Sequence, residues 1–181
     1  MTDVLVDRTF SPARDRNGVF ALAQEAGSCF DLYRVNWHGS MLTDQGARLV
    51  CHFDSADIES IRQALRQTAG NEWQMCAVTV HESPDYADLE PNVAVERSWQ
   101  DPVDMDDIQA KEDEGAWCLS LRNVKFVRTY FTTDRKRMVC LYNAPDAESV
   151  REAQREADMP MDSVWAFELI KPPAPENSTV D

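Results

Sequence analysis

The sequence predicts an α+β chain of two tandem βαββαβ units, packed sheet to sheet as an intramolecular pseudo-dimer. Three observations predict it: a duplication, the order of hydrophobic periods within each copy, and a polar joint between the copies. A shift of 89 positions lays the chain on itself without a gap. Val4-Leu5-Val6-Asp7-Arg8-Thr9-Phe10 falls on Val93-Ala94-Val95-Glu96-Arg97-Ser98-Trp99, and Cys29 and Cys51 fall on Cys118 and Cys140 (118 − 29 = 89). About twenty positions are identical over some eighty in that single register. A repeat this long signals a fused pair of domains rather than a solenoid.

Each copy reads as strand, helix, strand, strand, helix, strand. Residues 4–8 and 93–97 alternate with period two, the mark of a half-buried strand. Val19, Phe20, Ala23, Ala26 and Gly27 follow at helical spacing, with Cys29 just past that face. Stretches 35–42 and 48–53 are β-rich and joined by Thr43-Asp44-Gln45-Gly46, a hairpin turn. Their counterparts, 124–131 and 137–142, join through Thr132-Thr133-Asp134-Arg135. The second helix shows an apolar stripe at Ile58, Ile61, Ala64, Leu65 and Ala69, and again at Val150, Ala153 and Ala157. In the second copy Asn143-Ala144-Pro145-Asp146 supplies a cap and a first-turn proline, and Pro160 stops the helix. Segments 75–80 and 163–169 are the closing strands.

The order βαββαβ is the ferredoxin-like split motif, an antiparallel sheet with helices on one face. Two such units bury their bare faces against each other, which makes a dimeric α+β barrel within one chain. The units are expected at 1–82 and 92–171, with a linker at 83–91 and a disordered tail at 172–181.

Composition removes several classes of function. A formal charge of −14 repels a phosphate backbone and argues against nucleic acid. The chain has no run of about 18 apolar residues and no basic-then-apolar start, so no membrane partner and a cytoplasmic location are expected. Five cysteines, an odd number without a CxxC pair, argue against a disulfide framework. Glycine-rich phosphate loops, GxSxG, HExxH, kinase and Rossmann strings are all missing, which disfavours nucleotide-dependent and triad-hydrolase chemistry.

The second copy carries three motifs in order. Glu96-Arg97-Ser98-Trp99 opens it, Cys140-Leu141-Tyr142-Asn143-Ala144-Pro145-Asp146 leads into its second helix, and Met159-Pro160-Met161-Asp162-Ser163-Val164 closes it. Over nearly all of residues 92–170 it resembles a family of small bacterial ferredoxin-like domains of unknown function that includes a nickel-binding protein. The resemblance implies paired sheets and a possible metal partner. The first copy departs from these motifs: Cys51-His52-Phe53-Asp54-Ser55-Ala56-Asp57 lacks the proline. It reads as a diverged partner that supplies the other half of a dimer.

Several residues are candidates for chemistry. Adjacent strand residues face opposite ways, so one member of Asp7-Arg8 and of Glu96-Arg97 points between the sheets. Such a charge is either salt-bridged or ligand-binding. The duplication is expected to gather all four charges near the pseudo-twofold axis. Cys140 and Tyr142, on a central strand, are further candidates for ligand binding; Cys51 and Cys140 otherwise serve as small buried hydrophobes. Of the three histidines, His38 and His52 fall on neighbouring strands of one hairpin. With Asp7 or Glu96 they would form an N/O site for nickel or zinc. The leading reading is therefore a small-ligand or divalent-metal binding protein with a site near the pseudo-axis, its metal ligands His38, His52 and Glu96. One alternative is a cofactor-independent isomerase, cyclase or monooxygenase with Glu96 and His38 as acid and base. Another is a structural module without a site. A further homodimer of the fused pair is also open.

Overall fold

The computed structural model describes residues 1–66, 68 and 73–173. Residues 69–72, which include Ala69 of the predicted helical stripe, and residues 174–181 of the predicted tail lie outside the described residues. The first half runs β1 (Thr2–Thr9), α1 (Arg16–Tyr33), β2 (Asn36–Thr43), β3 (Arg48–Ser55), α2 (Ile58–Leu65) and β4 (Trp73–Glu82). The second runs β5 (Val93–Ser98), α3 (Met105–Leu121), β6 (Lys125–Thr132), β7 (Arg137–Asn143), α4 (Ala147–Glu156) and β8 (Ser163–Ile170).

Within each half the strands lie in the order β4-β1-β3-β2 or β8-β5-β7-β6, all antiparallel. The sheets do more than face each other. Edge strand β2 pairs with β8, and β4 pairs with β6, so the eight strands close into one barrel. Among the described residues, closure leaves no open sheet edge.

Strand alternation divides the apolar residues among three cores. Val4, Val6, Leu49, Cys51 and Phe53 pack outward against Val19, Leu22, Ile61 and Ala64 of α1 and α2. Val93, Val95, Met138, Cys140 and Tyr142 pack outward against α3 and α4 through Ile108 and Val150. Leu5, Met41, Val50, Val78, Ala94, Tyr130, Leu141 and Phe167 fill the barrel interior. Two local expectations are corrected. Cys29 and Cys118 lie within α1 and α3 on their buried faces, because Val19, Leu22, Ala26 and Cys29 repeat at helical spacing. The cap of α4 is Asp146, whose Oδ1 accepts from the Ser149 amide at 2.7 Å, so Pro145 precedes the helix instead of sitting in its first turn.

Among the described residues, no helix is long and apolar enough to cross a membrane.

Candidate metal centre at the barrel mouth

Asp3, Leu5 and Asp7 share one face of β1, and the register Leu5↔His52 and Asp3↔Asp54 puts His52 and Asp54 on the same face of β3. That face is the barrel interior, where Leu5 packs. His38 reaches the same place by a different device. The β2–β3 register skips between Trp37↔Phe53 and Gly39↔His52, a bulge that leaves His38 as the extra residue. Bulges re-aim side chains beside functional sites. Here the His38 ring stacks on His52 with centroids 4.6 Å apart and planes at 26°. Gly39 permits the bulge: its φ is +154°, and a Cβ there would lie 3.2 Å from the Ile170 carbonyl oxygen.

The polar contacts are short. His52 Nε2 lies 2.7 Å from Asp3 Oδ1, and His38 Nε2 lies 2.6 Å from Asp54 Oδ2. Asn36 Nδ2 donates to Asp54 Oδ1 at 2.8 Å, orienting the carboxylate that holds His38. Tyr130 Oη, from the second half, stands 3.5 Å from His52 Nδ1. One ligand atom each from Asp3, His38 and His52 falls within 4.8 Å of the others. Three atoms bound ~2.1 Å from one ion lie within ~4.2 Å of one another, so the side chains would draw inward to seat it.

Protonation favours ligation. Burial, opposed by the Asp3 hydrogen bond, leaves the His52 imidazole below its usual pKa, which favours the neutral form that metals bind. A cavity of about 280 Å³ adjoins the cluster, lined by His38, His52, Tyr130 and Arg128 and by Asp88 and Leu89 of the linker. Arg128 is itself paired with Glu82. With Asp3, Asp54, Glu82 and Asp88 against Arg128 and Lys171, the mouth carries a net negative charge that suits a cation.

Glu96 does not complete this cluster. Arg48 Nη2 holds it at 2.5 Å and holds Asp7 at 2.6 Å, and Ser163 Oγ donates to it at 2.6 Å. Asp7 lies four residues beyond Asp3 on β1, roughly 13 Å along the strand, so this cluster occupies the far end of the barrel beside a separate cavity of about 320 Å³. The same contacts set the acidity of Glu96. Burial pushes its carboxyl up, but the Arg48 and Ser163 contacts outweigh it and hold the group below the usual carboxylate range.

The expected gathering of four charges on one axis is likewise corrected. Strand alternation sends Asp7 and Glu96 into the barrel and Arg8 and Arg97 out beneath the helices. Arg97 is 1% exposed and donates to the Pro160 carbonyl (2.9 Å), Cys140 Sγ (2.7 Å), Gln154 Oε1 (2.6 Å) and Tyr142 Oη (3.4 Å). Arg8 donates to Thr68 Oγ1 at 3.0 Å. Burial pushes the Cys51 thiol up to about 11 and raises Cys140 as well, so neither is held as a thiolate. His81 bonds Thr79 Oγ1 at 2.9 Å in an exposed position and stands apart from the pair. Sequence reasoning missed Asp3 and Asp54. Asp3 shares strand parity with Asp7, which was the available signal, but parity names the face and not the end of the barrel.

Residues 94–166 match the family model of the nickel responsive protein SCO4226-like family. No curated protein matches the chain. Among solved structures, a protein assigned as a chlorite dismutase aligns over 94% of each chain at 13% identity and TM-score 0.51. This likeness is one of fold, the dimeric α/β barrel. A protein assigned as a monooxygenase from Lactobacillus acidophilus aligns over 94% of this chain and 95% of its own, at 8% identity and TM-score 0.49. A heme-binding protein from Thermus thermophilus aligns over 93% and 90%, at 10% identity and TM-score 0.47.

Proposed function

We propose that the protein binds one divalent transition metal ion, nickel or zinc, at the barrel mouth through His38, His52 and Asp3. The juxtaposition of two imidazoles and a carboxylate within 4.8 Å, one imidazole buried and favoured in its neutral form, carries this reading. Neutral imidazole and carboxylate are ligands that nickel and zinc both accept. The match to a nickel responsive family is compatible with it, although the matched residues 94–166 lie in the other half from all three ligands. An ion bound there would act as a Lewis acid with positions left for water or a small molecule from the adjoining cavity. The residues have distinct tasks. Asp54 and Asn36 fix the His38 ring, and the Tyr130 hydroxyl faces the second nitrogen of His52.

The test is calorimetric titration of tag-free, chelator-treated protein with nickel and zinc chloride. One ion per chain is expected. His52→Ala and His38→Ala each weaken binding tenfold or more, on the order of a lost ligand contact, while Glu96→Gln leaves it unchanged. Stoichiometric binding that survives both histidine substitutions would overturn the assignment.

A further inference from the structure

The outer face of the second half holds a cavity of about 560 Å³ between α3, β6, β7 and α4. The corresponding place in the first half is closed to about 20 Å³, scarcely room for one water. The shift of 89 shows what opened it. Phe30 and Trp37 of the first half become Leu119 and Phe126, which takes bulk away. Ala23, Phe53 and Leu65 become Glu112, Tyr142 and Gln154, which adds polar groups to the same wall. Loss of bulk alone would leave an apolar void, which destabilises a fold. Gain of buried polar groups alone would impose a desolvation cost. The two changes together are what a ligand site requires.

The lining states the chemistry of the occupant. Met105, Met138, Met159 and Phe126 form apolar walls, and thioethers favour aromatic rings. Glu112 lines the same cavity, and its buried Oε1 has no hydrogen-bond partner among the described residues. Arg97 Nη1 lies 3.7 Å away, an ion pair beyond hydrogen-bond reach. A charged ligand would upset that buried pair, whereas a neutral donor supplies the bond the carboxyl lacks. We propose that this cavity binds a neutral aromatic molecule carrying one O–H or N–H donor, its ring against the three methionines and Phe126 and its donor on Glu112. The site lies on the opposite side of the sheet from the metal centre, and each stands or falls independently.

The test uses the full chain labelled at its methionine methyl groups, with 2-naphthol and its methyl ether 2-methoxynaphthalene as probes. Saturable shifts at Met105, Met138 and Met159 are expected with 2-naphthol. Met41, in the barrel, and Met75, in the first helical core, stay in place. Glu112→Gln weakens 2-naphthol roughly tenfold, the value of one hydrogen bond to a charged group, and leaves the ether unchanged. Leu119→Phe with Phe126→Trp, the residues of the first half, abolishes binding of both. Absence of saturable shifts in the unsubstituted protein overturns the proposal by itself, whether or not the filled variant folds. Equal loss of both probes on Glu112→Gln, or no loss of either, overturns the donor assignment.

Discussion

Arg97 and Glu112 concentrate the buried charge of the second half, and they respond to perturbation in opposite ways. The Arg97 guanidinium is enclosed, and its donors reach four groups on two elements and a loop. Arg97→Ala strands Gln154, Tyr142 and Glu112 without their cation. A loss of about 3–5 kcal/mol is predicted, read from urea unfolding, with Arg97→Met costing less because it refills the space. Glu112 contributes a pH dependence. Burial, against the pull of Arg97, holds its carboxyl above the unfolded value of 4.5. The folded state therefore binds more protons than the unfolded state above that value, and this group's contribution is lost as pH rises. Glu112→Gln removes the effect, so the stability of the variant relative to the parent should increase as pH rises through and above 4.5. Denaturant midpoints measured for both proteins across that range check the sign; a flat difference would contradict it.

At the scale of elements, α3 approaches α4 closely at Gly115, where an added Cβ would lie 2.6 Å from Ala157 Cβ. Gly115→Ala forces the helices apart and is predicted to cost about 1–3 kcal/mol, despite the better helix propensity of alanine. Ala157→Gly in the same chain should restore part of that loss, and a double-mutant cycle by thermal unfolding measures the coupling. The strands and their faces were legible in the sequence because period two is fixed by the backbone itself; Val4, Val6, Val93 and Val95 face where alternation puts them. The neighbouring strands of His38 and His52 were legible as a hairpin, but the bulge that stacks their rings was not. Glu96 misled because alternation says only that one of Glu96 and Arg97 points inward, and nothing of how far along the barrel. Its position along the barrel depends on the register between the halves, β2 with β8 and β4 with β6, which no local pattern records. The helix-side cavity was equally illegible, because its size follows from the summed volumes of side chains drawn from α3, β6, β7 and α4.

Across the whole molecule, closure makes the halves interdependent. Each contributes two edge strands to the other, and the barrel core mixes Leu5, Met41 and Val50 with Ala94, Leu141 and Phe167. Urea unfolding followed by far-ultraviolet circular dichroism and by tryptophan fluorescence should therefore give one coincident transition; two separate transitions would show halves that fold alone. The same closure walls the proposed metal site, since His52 of one half meets Tyr130 of the other at the mouth. The chain holds three histidines, so a nitrogen-detected spectrum of the imidazole rings resolves each one. The decisive measurement is that spectrum on addition of one equivalent of zinc. The ring nitrogens of His38 and His52 should move together to the shifts of metal-bound imidazole while His81 stays in place. Movement of His81, or no movement of the pair, would contradict the site.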